Sequence, residues 1–333
     1  MTGFDDDAVP APDPEATQAA GRRRDELGSL GRLADLWVWA AGVQGRCPPR
    51  PFGRVRVVLL AGDHGITAAG VSTHPAGTTM RLVDAVLSGA APVCSLARSA
   101  GAGIRVLDLA VDGPTPASIG QHKVCLGSGQ IDRVDALTEA EARQAYNAGR
   151  QIADEEVDAG ADLLVPAELG VGSATAAATI VSVLTGAEPV EVMSPGGAID
   201  DDTWMRRLAA VRDARRRVRG RSDPLTLLAV AGGADLAAMA GLLSQSAVRR
   251  TPVLLDGALA AAAALLAREA TPAAVAWWLA AQRSTEPAAD LAFDRLDLAP
   301  ALDLGVRLGQ GAGALLALPV LNTVLQMVAE TPA

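Results

Sequence analysis

The sequence predicts an α/β protein whose sheet is largely parallel. Two observations predict it: short β-branched runs alternate with Ala-rich helical stretches, and glycines or acidic residues follow the runs. Strand, loop and helix repeated in this order are typical of a parallel sheet with helices packed on it. A chain of 333 residues, half of them hydrophobic, is long enough to bury a large core.

The segments follow this pattern in order along the chain. Residues 54–65 and 103–113 are each expected to form a buried strand that leads into a loop. Residues 161–184, 224–247 and 251–267 are each expected to form a strand, a Gly-rich or acidic loop, and a helix. Ligands of such folds bind at the carboxyl ends of the strands. Those ends carry Asp63, His64, Glu168, Gly232, Gly233 and Asp256.

Composition limits the classes of function. The net charge is −9 and aromatic residues make up 3% of the chain, which argues against a nucleic-acid partner. Cys47, Cys94 and Cys125 match no metal-ligand spacing and suit a reducing cytoplasm, so no metal and no cofactor are expected. The longest apolar stretch, residues 254–267, is interrupted by Asp256 and a glycine, which favours a buried helix over a membrane span.

The two charged segments of the chain receive different predictions. Residues 1–20 are acidic and Pro-rich, unlike a signal peptide, and are expected to form a disordered leader. Residues 205–221 are Arg-rich with helical periodicity and are expected to form a solvated helix face. Arg206 and Arg207 are exceptions, because they closely follow the Gly-containing turn at residues 194–201.

Four glycine-bearing loops predict a crevice that binds phosphate or a nucleotide. They are ELGVGSAT (168–175), SPGGAIDD (194–201), AGGAD (231–235) and LGQGAGA (308–314). Glycine lets backbone N–H groups approach a ligand closely, and a following helix directs its positive end at an anion. None of the loops has the Gly-Lys-Ser/Thr ending of a P-loop or a complete G-x-G-x-x-G pattern.

Glu168 is the candidate catalytic carboxylate. It follows the apolar run LLVPA directly and precedes a glycine loop, so it should face the crevice. A carboxylate there can act as a base or stabilise positive charge, and the alternative is that it braces the loop. Asp63 and His64 are adjacent and cannot easily face one metal ion, so a structural, hydrogen-bonding role is expected for them.

Several of these stretches together resemble the nicotinate-nucleotide:dimethylbenzimidazole phosphoribosyltransferase family. The matching stretches occur in order as LGSLGRLADLWVWAAGVQG (27–45), VVLLAGDHGITAAGVSTHP (57–75), ADLLVPAELGVGSATAAA (161–178), AVAGGADLAAMAG (229–241), RTPVLLDGALAAAAAL (250–265), QRSTEPA (282–288) and LGVRLGQGAGALLALPV (304–320). The resemblance implies a single unit over residues 21–333, with an α/β core at about 51–320. It also implies a smaller helical part from about residues 21–50 and the C-terminal end, and a homodimer.

The resemblance also implies a reaction. The family transfers phosphoribosyl from nicotinate mononucleotide to a nitrogen of 5,6-dimethylbenzimidazole, giving α-ribazole 5′-phosphate and nicotinate in cobalamin biosynthesis. The phosphate of such a substrate needs backbone donors, which glycine loops supply. The attacking azole loses its N–H proton, which a general base assists.

Site residues are implied by motif position. Glu168 and the backbone of Gly170, Gly172 and Ser173 match the phosphoribosyl-site loop of the family. Gly196 and Gly197 match a nucleotide-binding turn of the family, and Ser72 and Met80 match its benzimidazole pocket. Gln310 falls on its general-base position. Three further residues are included with these matches: Arg207, Gly309 and Gly311.

The chain departs from the family at several of these positions. Gln310 stands where the family has its general-base glutamate, and an amide cannot accept a proton at neutral pH. Arg207 replaces a lysine, Met80 replaces a glutamine in the base pocket, and Gln282 replaces a histidine.

These departures leave three hypotheses. The chain is an enzyme with the ordinary substrates and reduced activity, or it transfers the same group to another azole base. In the third hypothesis it is a non-catalytic homologue that binds nucleotide or pairs with an active paralogue. Retention of Glu168 and of the glycine loops argues against the third.

Overall fold

A five-stranded parallel sheet forms the centre of the protein. In the computed structural model, which describes residues 8–28, 30–75, 77–195 and 199–331, the strand order is β2-β1-β3-β4-β5. The strands are β1 (Val55–Gly62), β2 (Gly103–Ala110), β3 (Leu163–Leu169), β4 (Val253–Leu255) and β5 (Trp278–Ala280). In register, Leu60 of β1 pairs with Leu107 of β2 and with Glu168 of β3. The α/β fold predicted from the sequence is confirmed.

Helices connect and cover these strands. They are α1 (Pro14–Leu27), α2 (Arg32–Gln44), α3 (Thr78–Leu87), α4 (Pro92–Ala100), α5 (Glu139–Asp158), α6 (Ser173–Thr185), α7 (Pro189–Val192), α8 (Asp201–Arg217), α9 (Pro224–Ala231), α10 (Ala234–Val248), α11 (Gly257–Ala270), α12 (Pro287–Leu296) and α13 (Ala312–Glu330). Short 3₁₀ turns lie at Gly65–Ala69 and Pro272–Trp277. Helices α10 and α11 contact the sheet, and α5, α6 and α12 pack on them.

The predicted strands lie where the sequence placed them, with one exception. Residues 54–65, 103–113, 161–184 and 251–267 contain β1, β2, β3 with α6, and β4 with α11. The strand expected at the start of 224–247 is wrong, because those residues form α9. Its N-cap is Asp223, whose side chain accepts a hydrogen bond from the Thr226 N–H at 2.8 Å.

The prediction of a disordered leader up to residue 20 is wrong from Pro14 onward. Helix α1 begins there because the Asp13 side chain accepts the Ala16 N–H at 2.7 Å and proline occupies the first helical position. Ala16 and Ala20 are buried, and the Asp13 N–H donates to Gly42 O at the end of α2. Residues 1–7 lie outside the described part of the chain.

The two ends of the chain meet. Helix α1 packs on α2, and α2 packs on the C-terminal helix α13. The Asn322 side chain of α13 bonds both backbone groups of Phe52, accepting its N–H at 2.8 Å and donating to its carbonyl at 3.0 Å. Two reciprocal hydrogen bonds therefore hold α13 against the residues that enter β1.

Two helical segments have the length and apolar composition of a membrane span. They are Thr78–Ala100, which contains α3 and α4, and Ala312–Glu330, which is α13. Of the most apolar part of α13, 56% is buried inside the protein, where it contacts α2 and α4. A core helix that packs in this way passes the same compositional test. The stretch at 254–267 forms β4 and the buried helix α11, as expected.

Helices α5 and α10 approach each other at two glycines. A Cβ added at Gly149 of α5 would lie 1.7 Å from Ala238 O, and one added at Gly241 of α10 would lie 2.0 Å from Tyr146 O. Both clashes are with backbone, which cannot rotate away as a side chain can. The two helices therefore pack with their main chains in contact.

We expect Gly149→Ala to destabilise the protein by about 1–3 kcal/mol or more, because the methyl group separates α5 from α10. Gly21→Ala is the matched control. Gly21 lies in α1 with no atom within 4 Å of an added Cβ, so this substitution should be neutral or stabilise by about 0.5–1 kcal/mol. Urea unfolding measures both free energies. Equal stability of the two variants would contradict the packing described.

Candidate active site

A cavity of about 390 Å³ lies at the carboxyl end of the sheet, and four helices begin at its wall. Its lining includes Ser173, Gly257 and Pro287, the first residues of α6, α11 and α12. It also includes Gln310, two residues before α13. Because the positive end of each helix dipole and its unpaired N–H groups point toward the cavity, the site favours negative charge.

Buried carboxyl groups of the protein occupy two of these helix ends. Asp256 Oδ2 accepts the N–H groups of Gly313 and Ala314 at 2.8 and 3.3 Å, at the start of α13. Glu286 accepts the Ala258 N–H at 3.4 Å, at the start of α11. Asp256 Oδ1 also accepts the Gln282 amide at 3.0 Å. A Cβ at Gly313 would lie 2.3 Å from the Gln282 side chain, so only glycine fits there.

In the described part of the chain no side chain caps the start of α12, and none caps the start of α6. Its N-cap is Gly172, with φ +98°, and a Cβ there would lie 2.8 Å from His64 Cβ. Gly170, Gly172 and Ser173 all line the cavity. This loop therefore presents uncapped backbone donors to the cavity, which is the arrangement that binds phosphate groups.

His64 supports this loop from behind. Its backbone N–H donates to Val171 O at 3.2 Å, and its ring Nε2 lies 3.0 Å from Asp235 Oδ2. Both side chains are almost fully buried. Burial alone would lower the pKa of His64, but the charge and hydrogen bond of Asp235 outweigh it and raise the pKa. Asp63 accepts hydrogen bonds from Thr79 Oγ1 and the Asp112 N–H. The hydrogen-bonding role predicted for Asp63 and His64 is confirmed.

Three carboxyl groups line the cavity, and each is less acidic than usual. Burial, followed by the charge of Glu286, raises the pKa of Glu168 to about 8. Burial also raises the pKa values of Asp256 and Glu286. Arg207, whose Nε donates to Val71 O at 2.7 Å, brings a guanidinium to the same cavity, where its charge acts on Glu286. A cation bound in the cavity would favour the ionised form of these carboxyl groups.

Most of the site residues named from the sequence lie together. Those that line the cavity are Ser72, Glu168, Gly170, Gly172, Ser173, Arg207, Gly309 and Gln310. Met80 does not line it and instead approaches Gly113, where an added Cβ would lie 3.7 Å from Met80 Cγ. Gly311 lies behind the wall, with its Cβ position 3.1 Å from Val165 on the sheet. Gly196 and Gly197 lie outside the described residues.

Gln310 lies in the centre of a strained loop. It has φ +58° between Gly309 at +67° and Gly311 at +77°. A residue with a side chain in this left-handed region is uncommon, and such strain is frequent at ligand sites. A residue with a neutral side chain therefore lines a cavity that already holds three carboxyl groups.

Sequence reasoning gave no site role to Asp256 or Glu286. Asp256 had been placed at a strand end, and Glu286 directly precedes the proline that begins α12. Each is an acidic residue directly before a helix, but neither caps the helix that it precedes, so the local N-cap signal does not reveal its role. Nothing in the sequence shows that Asp256 caps α13, which begins 56 residues later.

A phosphoribosyltransferase family model matches residues 9–333. The chain belongs to the phosphoribosyltransferase family. It is 53% identical over 323 residues to a nicotinate-nucleotide–dimethylbenzimidazole phosphoribosyltransferase of Mycolicibacterium paratuberculosis, covering 95% of this chain and 93% of that protein. Identity is also 53% over 331 residues to the protein of the same name from Mycobacterium tuberculosis, covering 98% and 91%.

A solved structure has the same fold as this phosphoribosyltransferase. The enzyme of that name from Thermus thermophilus superimposes with a TM-score of 0.90 at 34% identity, covering 96% of this chain and 97% of that one. The family resemblance seen in the sequence is therefore confirmed over nearly its whole length.

The raised pKa of Glu168 makes the stability of this phosphoribosyltransferase depend on pH. Between about pH 4.5 and pH 8 the unfolded chain releases the proton that folded Glu168 keeps, so stability falls as the pH rises. Glu168→Gln removes this dependence. We expect the variant to gain stability relative to the wild type from pH 5 to pH 8, at up to about 1.4 kcal/mol per pH unit.

Urea unfolding at a series of pH values measures this difference. Glu269→Gln, at an exposed glutamate on α11, is the matched control and should show no such gain. A stability difference between Glu168→Gln and the wild type that is constant over this pH range would refute the raised pKa.

Proposed function

We propose that this chain transfers phosphoribosyl from nicotinate mononucleotide to 5,6-dimethylbenzimidazole, giving α-ribazole 5′-phosphate and nicotinate. The observation that carries the proposal is the uncapped start of α6 beside Glu168 in one cavity. A phosphate site next to a carboxyl group of raised pKa is what this reaction requires. The names of relatives that are 53% identical over almost the whole chain support it.

The charges of the cavity suit the donor substrate. Its phosphate is anionic, and the α6 loop offers backbone donors to it. Its pyridinium is cationic, and positive charge develops at C1′ as the glycosidic bond breaks. Glu168, Asp256 and Glu286 surround that region with carboxyl groups. A bound cation favours the ionised form of such groups, which then stabilise its charge.

Bond making and proton transfer can be assigned to residues in the cavity. The azole nitrogen lone pair forms a bond to C1′, and the bond from C1′ to the pyridinium nitrogen breaks with its electron pair going to nicotinate. The azole N–H proton is then lost. Gln310 cannot accept it because an amide is not basic at neutral pH. Glu168, whose pKa is about 8, is matched to that task near neutral pH, with water as the alternative acceptor.

We propose small molecules as the partners of this chain, with no nucleic-acid or membrane partner, and a cytoplasmic homodimer as its state. The net charge of −9 supports the absence of a nucleic-acid partner. The apolar residues of α13 pack against α2 and α4 inside the protein, which supports the absence of a membrane partner. The dimer rests on the family resemblance alone.

Incubation of the purified chain with nicotinate mononucleotide and dimethylbenzimidazole tests the reaction. We expect nicotinate and α-ribazole phosphate to form together, above a control without enzyme, as separated by chromatography. If product forms with another azole but not with dimethylbenzimidazole, the acceptor named in this proposal is wrong. Binding of the nucleotide without turnover on any azole would identify a non-catalytic homologue and refute it.

We expect Gln310→Glu to raise turnover with dimethylbenzimidazole, because general-base assistance contributes about 10²- to 10⁴-fold in rate. Gln and Glu have the same shape, so the left-handed backbone at this position is strained equally in both. Steady-state rates at saturating substrate measure the effect. Gln310→Ala serves as the control for loss of the amide itself. A rate for folded Gln310→Glu equal to or below that of the wild type would show that this position does not hold the base.

A further inference from the structure

A second cavity, of about 450 Å³, lies away from the sheet ends, where α6 ends, α7 begins and α8 runs into a turn. Five arginines line it together with one glutamate and an apolar floor. The lining comprises Val183, Glu188, Pro189, Arg212, Arg215, Arg216, Val218, Arg219, Gly220 and Arg221. We call it the arginine pocket.

The positive charges of the arginine pocket are only partly balanced. Arg212 pairs with Asp213 at 2.9 Å, and Arg215 pairs with Glu188 at 3.0 Å. Within the described ranges, no carboxylate lies in ion-pair distance of Arg216, Arg219 or Arg221. Five guanidinium groups therefore face two carboxylates, in a chain whose net charge is −9. The excess of positive charge on these mostly exposed arginines attracts an anion.

The shape of the arginine pocket suits a small ligand rather than a polymer. Its volume lies within the range of about 300–1,000 Å³ typical of small-molecule sites. Val218 on its floor is fully buried. Gly220 turns the chain with φ +79°, which brings the residues on both sides of it to the same cavity. Nucleic acids, by contrast, bind along extended positively charged grooves on a protein surface.

We propose that the arginine pocket binds a small molecule that carries two or more phosphate-type anionic groups. Guanidinium groups bind phosphate oxygens through paired, charge-assisted hydrogen bonds. The three arginines without a carboxylate supply the donors, and the partly exposed Val183 and Pro189 offer an apolar surface to the body of the ligand. This inference does not depend on the reaction proposed above.

The arginine pocket is separate from the catalytic cavity, and two helices connect the two cavities. Helix α6 has Ser173 in the catalytic cavity and Val183 in the arginine pocket, ten residues or about 15 Å apart. Helix α8 has Arg207 in the first and Arg216 in the second, nine residues or about 14 Å apart. An anion in the arginine pocket is therefore a second ligand, distinct from the phosphate bound at the α6 loop.

Calorimetric titration of the full chain with pyrophosphate tests the proposal. The triple variant Arg216→Gln, Arg219→Gln and Arg221→Gln should bind one equivalent fewer than the wild type, because affinity at that site falls more than about tenfold. The control variant Arg98→Gln, Arg133→Gln and Arg143→Gln removes the same total charge from exposed arginines elsewhere. It should keep the stoichiometry of the wild type. The difference of one equivalent is expected whether or not the catalytic cavity also binds pyrophosphate.

The same stoichiometry in all three proteins would overturn the proposal. An equal loss in both triple variants would also overturn it, because overall charge would then explain the binding. Loss of single-stranded RNA binding in the first variant, with pyrophosphate binding unchanged, would identify a different class of ligand and overturn it as well. Because all six substituted arginines are exposed, we expect the thermal unfolding of both variants to match that of the wild type.

Discussion

The catalytic cavity depends on one buried carboxylate, that of Asp256. Its oxygens accept hydrogen bonds from two backbone N–H groups of α13 and from the Gln282 amide, which follows β5. It thereby joins the end of β4, the end of β5 and the C-terminal helix. Burial opposes its charge and raises its pKa, whereas the three donors stabilise the ionised form. This link holds the start of α13, and with it the loop that carries Gln310, beside the ends of β4 and β5.

The start of a helix favours a negative group, and this preference has two uses in the cavity. It holds the fold together at some helices and offers a binding site for an anion at another. The starts of α11 and α13 are occupied by Glu286 and Asp256, so these ends are already neutralised and hold the fold together. The start of α6 is left without a side-chain cap in the described part of the chain. An incoming phosphate can therefore be recognised there by backbone alone. Under the proposed function, this open helix end together with the glycine loop before it is where the phosphate of the substrate binds.

Sequence reasoning succeeded where the signal is local. Strands β1, β2 and β3 were predicted because an apolar β-branched run before a glycine or an acid is distinctive, and Glu168 followed from its place near the end of β3. Helix α9 was missed because it is buried on every side and shows no amphipathic period. The helix at Pro14 was missed because an acidic, Pro-rich composition concealed the cap at Asp13. Motif position could not show that Met80 does not line the cavity, since spacing does not determine where a side chain lies.

The amide at Gln310 has an electrostatic consequence beyond the loss of a base. The cavity already holds Glu168, Asp256 and Glu286, and the charge of Glu286 contributes to the raised pKa of Glu168. A fourth carboxyl group in the same space would raise the pKa values of its neighbours further, so fewer of them would be ionised before a cationic substrate binds. A neutral residue at this position keeps Glu168 near pKa 8 and able to release its proton near neutral pH. Under the proposed function, the chain has no dedicated base at position 310, and Glu168 is the carboxyl group that accepts the proton.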